Sequence, residues 1–166
     1  MGRLMTIEAS AFRRVLSHLP TGVTVITGEH VDGPVGMACN SVTSVSLEPP
    51  LISFCPARTS ETWSALRHTG RFCVNVMAND HDWAVRAFAR KGIDRFAGVT
   101  YYPRFGGPAI QDAVAWLDCE IRAEHEAGDH LIVVAEVVGL TARADVAPLV
   151  FFRGAYGTFL PQTAHG

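Results

Sequence analysis

A chain of 166 residues with 14 lysines and arginines against 16 aspartates and glutamates, a formal net charge of -2, has no basic surplus with which to hold nucleic acid or an anionic membrane. Hydrophobic residues make up 48% of it and charged residues only 18%, so part of the apolar excess is expected to face a second copy of the chain. This length suits a single domain over 1–166, with its core at about 10–160.

Cys39, Cys55, Cys73 and Cys119 lie far apart, with no C-x-x-C and no zinc-type spacing. No apolar leader or membrane-length run is present, so the expected setting is the reducing cytoplasm, without disulfides. His125 and His130, the nearest pair among the seven histidines, are five residues apart. Along one strand that places them on opposite faces, and no metal site is expected.

Phe12, Val15, Leu16 and Leu19 recur at helical spacing before Pro20, which predicts a helix over 7–19. The β-branched run 21–27 predicts a strand, and Asp32-Gly33-Pro34 turns it into a hairpin. The next segment, 36–51, reads as one long strand. Alternation puts Gly36, Ala38, Asn40, Ser44 and Ser46 on one face with Val42. That face is too small for a core and carries no charge for solvent. It suits a flat polar ligand or a closely approaching backbone, with a Ser/Thr-rich edge strand as the plain alternative.

Pro49-Pro50 breaks this strand, and 51–55 reads as a short strand buried on both faces. A helix over 60–67 with Trp63 and Leu66 inward follows, then a buried strand over 72–76. Asn79 or Asp80 is expected to cap a helix over 81–91 that Gly92 stops. Trp63, Trp83 and Phe88 read as core. From Ala113 onward Trp116, Asp118, Glu120 and Arg122 alternate with Leu117, Cys119, Ile121 and Ala123. Gly128-Asp129 marks a turn, 131–138 returns antiparallel, and a last strand over 148–152 leads to Tyr156. Hairpin-linked strands with helices at irregular intervals exclude a doubly wound sheet. They predict a mainly β fold, an antiparallel barrel with peripheral helices.

The chain has no G-x-G-x-x-G, P-loop, G-x-S-x-G or H-E-x-x-H. Arg58-Thr59-Ser60-Glu61-Thr62 combines a helix start, a cation and hydroxyls, which suits a phosphate. Glu61 opposes an anion there, and an ordinary helix cap explains the same residues. Gly128-Asp129-His130 is a second candidate, although a lone histidine after a turn is ordinarily a surface residue.

Read together, 21–27, 34–37 leading into Asn40-Ser41, 44–51, 70–76, 94–98, 128–130 and 148–154 resemble the flavin reductase family. The likeness runs in order from about Phe12 to Tyr156. It is nearest to the small reductase components of two-component flavin-dependent monooxygenases. The resemblance implies a Greek-key FMN-binding split β-barrel that forms a homodimer. It also implies an activity, in which NADH or NADPH reduces free FMN or FAD by hydride transfer from nicotinamide C4 to flavin N5. The reduced flavin then diffuses to a partner monooxygenase.

Carried over by position, the resemblance puts Ala38, Cys39, Asn40 and Ser41 against the flavin ring and ribityl chain, and Ser44 shares the face of Ala38 and Asn40. It puts Cys55, Pro56 and Ala57 at the ring border, with Ser60 and Thr62, beside Arg58, at the phosphate. Ala87 and Phe88 approach the flavin, while His130 in the Gly128-Asp129-His130 turn meets the nicotinamide and Tyr156 closes that pocket. Ala38 stands where many members have threonine, which leaves FAD against FMN open. No arginine cluster asks for a 2′-phosphate, so NADH is expected over NADPH. The alternative reading is a protein of the same barrel that retains its flavin, as a binding or sensing module or as an oxidoreductase on another substrate.

Overall fold

A computed structural model describes residues 6–162. Helix α1 (Ala9–Leu16) is shorter than the predicted 7–19 and buries none of its residues, so Phe12, Val15 and Leu16 face outward. The first predicted strand is two, β1 (Thr21–Gly22) and β2 (Thr24–His30), and β2 forms the expected hairpin with β3 (Gly33–Cys39). β4 (Thr43–Leu47) pairs with β5 (Pro50–Phe54), in which Ile52 and Phe54 are buried while Leu51 and Ser53 are only partly so. The strand expected to be buried on both faces thus has a single core face.

Helix α2 (Glu61–Arg67) starts where predicted, capped by Ser60, whose Oγ accepts the Trp63 N–H at 3.1 Å. After β6 (Arg71–Val76) comes α3 (Asp82–Phe88), shorter than expected. Its cap position is His81, not Asn79 or Asp80, and no side chain caps it. A hairpin that the sequence does not announce, β7 (Tyr101–Arg104) with β8 (Gly107–Ile110), precedes the long pair β9 (Ala115–Ala127) and β10 (His130–Ala142). β11 (Leu149–Phe152) and β12 (Ala155–Thr158) close the chain, with β11 also paired to β1.

The strand expected over 36–51 is therefore interrupted, and the interruption shapes the molecule. β3 and β4 follow one another in sequence yet lie at opposite edges of a seven-stranded antiparallel sheet, ordered β3-β2-β6-β9-β10-β5-β4. Laid flat at ~4.8 Å per strand, those edges would stand roughly 29 Å apart. The four residue steps from Cys39 to Thr43 reach at most ~14 Å. The sheet must roll up until its edges meet, and it stays split where 40–42 joins them without a ladder. This is the antiparallel split β-barrel expected from the sequence.

Inside the roll, Phe54 meets Trp63 and Phe72 edge-on at 5.1 and 5.2 Å, packed with Ile26, Leu66 and Val133. β2 is buried on both faces, because its other side packs Val25 against Val85 and Phe88 of α3 and against Leu149. Trp63 and Phe88 are core as predicted. Trp83 is half exposed, on the outer side of α3. A Cβ at Gly36 would lie 2.8 Å from the Phe88 ring, so the flat group that Gly36 admits is an aromatic side chain of the same chain.

The unannounced hairpin explains why β9 does not alternate cleanly between inside and outside. Asp118 and Cys119 are both buried. Asp118 accepts hydrogen bonds from Arg104 Nε at 3.0 Å, Arg104 Nη2 at 2.6 Å and the Gly106 N–H at 3.0 Å. The buried Asn75 anchors the other hairpin strand. Its Nδ2 donates to Val25 O and Thr27 Oγ1, and its Oδ1 accepts the Ile110 N–H at 2.7 Å. Buried polar groups are fully partnered here, as a low-dielectric interior requires.

Candidate functional site

A cavity of about 390 Å³ opens where the barrel is split. The end of β3 and the linker after it supply Met37, Ala38, Cys39, Asn40 and Ser41, and the segment after β5 supplies Cys55, Pro56 and Ala57. Ser41 ties the two together, because its Oγ accepts the Cys55 N–H at 2.9 Å and lies 3.2 Å from Cys39 Sγ. Burial pushes the Cys39 thiol above its ordinary pKa, so it stays protonated.

His130 reaches the same cavity from the far end of the sequence. The β9–β10 turn carries Gly128 at φ 65°, the left-handed conformation that glycine adopts at no steric cost. The residues after it are stitched to the β5 exit. The Leu131 N–H donates to Pro56 O at 3.0 Å, the Arg58 N–H donates to Asp129 O at 3.0 Å, and Ala57 bridges His130. His130 Nδ1 lies 2.7 Å from Asp129 Oδ1. With the carboxylate as acceptor, the proton sits on Nδ1 and Nε2 is left for a ligand. The same hydrogen bond holds the Asp129 carboxyl below its ordinary pKa.

The remaining wall comes from the two helices and the loop after α3: Thr59, Ser60, Glu61, Thr62, Phe88, Ala89, Lys91 and Arg95. Arg95 is the brace. Its Nη1 donates to Gly36 O at 2.7 Å and Thr62 Oγ1 at 2.8 Å, and its Nε donates to Arg90 O at 2.6 Å. All three acceptors are neutral. Among the described residues neither Arg95 nor Lys91 forms an ion pair. The wall therefore carries two positive charges against the single carboxylate of Glu61, in a concave site where water is partly displaced.

Of the residues singled out in the sequence, Ala38, Cys39, Asn40, Ser41, Cys55, Pro56, Ala57, Ser60, Thr62, Phe88 and His130 converge on this cavity. Ser44, Arg58, Ala87, Gly128 and Asp129 do not line it. Arg58 instead faces Glu126 on the β9–β10 hairpin at 3.4 Å. Ser44 sits in β4 opposite Ile52, beside a bulge. Tyr156 lines a smaller neighbouring cavity of about 140 Å³ that shares Ala38, Cys39 and Asn40 with the first. The Arg86 guanidinium lies over the Tyr156 ring, 4.9 Å from its centroid. His125 and His130 do not take opposite faces. The turn between them puts His125 opposite Ile132, two residues from His130 on the same side of β10. Lys91, at the end of the predicted helix 81–91, and Arg95, within the family-like stretch 94–98, were not singled out as site residues, since each sits in a loop that only tertiary contacts bring to the site.

Residues 16–160 match the family model described as the flavin reductase like domain. A flavin reductase of Pseudomonas putida is 43% identical over 155 residues, covering 92% of this chain and 91% of that protein. The reductase subunit HsaB of a flavin-dependent monooxygenase of Mycobacterium tuberculosis is 42% identical over 159 residues, covering 94% and 85%. Among solved structures, the NADH:FAD oxidoreductase SgcE6 of Streptomyces globisporus C-1027, in complex with NAD and FAD fragments, superposes with a TM-score of 0.88. It is 36% identical, covering 93% of this chain and 94% of that one. With the split barrel, the cavity at its seam and a match over nearly the whole sequence, the chain belongs to the flavin reductase family.

Proposed function

We propose that this chain is the NADH-dependent flavin reductase of a two-component monooxygenase system, and that the cavity at the split of the barrel holds the flavin. The observation that carries this site is the unpaired Lys91 and Arg95 on a wall whose hydroxyls, Ser60 and Thr62, complete an anion cradle. A flavin fits the rest of the lining. Met37, Pro56 and Phe88 offer apolar surface for a flat ring, while Asn40, Ser41 and the linker backbone offer donors and acceptors for its polar edge. The volume lies within the ~300–1,000 Å³ usual for small-molecule sites.

Bound flavin and nicotinamide supply the redox chemistry, a hydride passing from nicotinamide C4 to flavin N5. The chain's own residues bind and orient. Lys91, Arg95, Ser60 and Thr62 would hold the phosphate, and backbone N–H groups of 39–41 would face the ring's polar edge, where negative charge grows on reduction. His130, fixed by Asp129 with Nε2 free, would position the nicotinamide carboxamide. Hydride transfer between the two bound rings requires no protein nucleophile and no general base.

The relatives named as monooxygenase reductase components support an oxygenase as the consumer of the reduced flavin. The exposed apolar side of α1, where Phe12, Val15, Leu16 and the following Leu19 face outward, supports a homodimer. No helix among the described residues is long and apolar enough to cross a membrane, and the four free thiols support placement in the cytoplasm.

The test is anaerobic NADH oxidation with catalytic enzyme and a large excess of FAD or FMN. Many turnovers per enzyme are expected, and the ratio of kcat/KM for the two flavins gives the preference. One stoichiometric reduction would mean a retained flavin, and no oxidation would refute the reductase reading.

A further inference from the structure

We propose that Cys39 and Cys55 are a redox modification site, joined by hydrogen peroxide into a disulfide that closes the cavity to its ligand. Both thiols are free and both line the cavity. They come from β3 and from the exit of β5, strands separated by four others in the sheet, and they meet only because the barrel rolls up. One oxygen holds them together: Ser41 Oγ lies 3.2 Å from Cys39 Sγ and accepts the Cys55 N–H at 2.9 Å. Burial is the largest influence on the Cys39 sulfur, but the Cys55 N–H and the Cys55 thiol act on it too, the first favouring its thiolate and the second opposing it. Bonding asks that the two Cβ atoms stand about 3.5–4.5 Å apart with each sulfur turned toward the other.

Their unequal exposure sets the order of events. Cys55 is exposed and meets the oxidant first, while Cys39 is largely covered and resolves the product. The Cys55 thiol gives up its proton as its sulfur attacks one peroxide oxygen, the O–O bond breaks, and the departing hydroxide takes that proton, leaving a sulfenic acid and water. The Cys39 sulfur then attacks the sulfenic sulfur, and the hydroxide it displaces takes the Cys39 proton and leaves as a second water as the S–S bond forms. Two thiols and one peroxide give one disulfide and two waters, and both electrons pass from sulfur to peroxide. Cys73 and Cys119 serve as internal controls. Both are fully buried, and burial pushes the Cys73 thiol up to about 12 and the Cys119 thiol higher still.

A bridge would fix 39–41 against 55–57 at a new spacing and remove the Cys39–Ser41 contact, so the cavity would no longer admit its flat ligand. That consequence rests on reading the cavity as the flavin site; the cross-link does not. The oxidant has a natural source, because released reduced flavin that meets dioxygen generates hydrogen peroxide. The bridge would then restrain turnover that no oxygenase consumes.

The experiment treats the intact chain with hydrogen peroxide and follows intact mass, free thiols, tryptic peptides and FMN binding by fluorescence. A mass loss of about 2 Da, a fall from four free thiols to two, a Cys39–Cys55 linked peptide and a severalfold loss of FMN affinity reversed by dithiothreitol are expected. C39S and C55S, each compared with its own untreated sample, form no link and lose no further affinity reversibly. A linked peptide involving Cys73 or Cys119, a link between two chains, or Cys55 driven to sulfonic acid while Cys39 stays free would overturn the proposal. A correct link with unchanged FMN affinity would overturn the closure. An untreated chain that binds no flavin at all would instead refute the flavin site.

Discussion

Replacing Arg95 by alanine tests whether the positive wall of the cavity is a phosphate site or only a brace. The guanidinium makes three hydrogen bonds to neutral oxygens, at 2.6, 2.7 and 2.8 Å, and has no carboxylate to neutralise it. Water can replace those bonds in part, because Arg95 is only half-buried. The structural cost is therefore about 1–2 kcal/mol, a few degrees in Tm. A charge-assisted hydrogen bond to phosphate contributes about 1.5–3 kcal/mol, or roughly 10- to 100-fold in Kd. Titrating the variant with FMN and with riboflavin, which lacks the phosphate, separates the two effects. FMN affinity is expected to fall by that factor while riboflavin affinity changes little. Arg95→Lys, which keeps the charge without the planar fork, should recover part of the loss. Equal weakening of both flavins would refute the phosphate assignment and leave Arg95 a brace.

His130→Ala should raise the NADH KM more than the flavin KM, and equal effects in steady-state kinetics would sink its assignment. Asp129→Asn should act in the same direction and more weakly. The Asp129 carboxyl is held below its ordinary 3.8 by its hydrogen bond to His130, so its contribution is full above pH 3.8 and lost only as pH falls through the lower folded value. The contact therefore persists at neutral pH, and an Asp129→Asn effect on the NADH KM that is absent at pH 7 would contradict it. Gly36→Ala forces Phe88 to move, since the new methyl would lie 2.8 Å from its ring and 3.3 Å from Ile26 O. Such overpacking costs about 1–3 kcal/mol, roughly 2–12 °C in Tm, and should raise the flavin KM; an unchanged melt would show that the ring gives way freely. Asp118→Ala strips Arg104 and the Gly106 N–H of their shared partner. It should cost about 3 kcal/mol while leaving both KM values alone, which thermal melts and kinetics together would check.

The hairpins were legible because their turns carry chemistry. Asp32-Gly33 and Gly128-Asp129 offer residues that accept left-handed backbone, with Gly33 at φ 117° and Gly128 at φ 65°. The β7–β8 hairpin was not, because Tyr-Tyr-Pro-Arg and Gly-Pro-Ala-Ile lack a β-branched run and carry prolines that argue against strands. Their order comes from long-range contacts, chiefly Asn75 and Asp118 reaching across from β6 and β9. The break at 40–42 was hidden for a related reason. Asn-Ser-Val continues the alternation of its neighbours, and only the need to close seven strands into a roll interrupts it.

The site divides along the same line. The small, polar stretch 38–41 marked itself, because residues that suit neither a core nor solvent ask for another explanation. Gly36, two positions before Ala38 on the same strand, looks the same in sequence but is small for a different reason. It makes room for Phe88, while Ala38 lines the cavity. Pattern alone cannot separate a residue kept small by its own protein from one kept small for a ligand, since both forbid a bulky side chain. What separates them is their distance from the split, since Gly36 lies under the Phe88 ring and Ala38 lies one residue from the end of the same ladder, where the cavity opens. On the Gly36 side of the split, β3 is laddered to β2 and covered by α3. Beyond Cys39 the linker pairs with no strand, and its backbone groups must find partners elsewhere. The seam that lets the barrel close is thus also a stretch whose polar backbone is free to bind, and Arg95, His130 and the α2 cap converge on that seam from three distant parts of the chain.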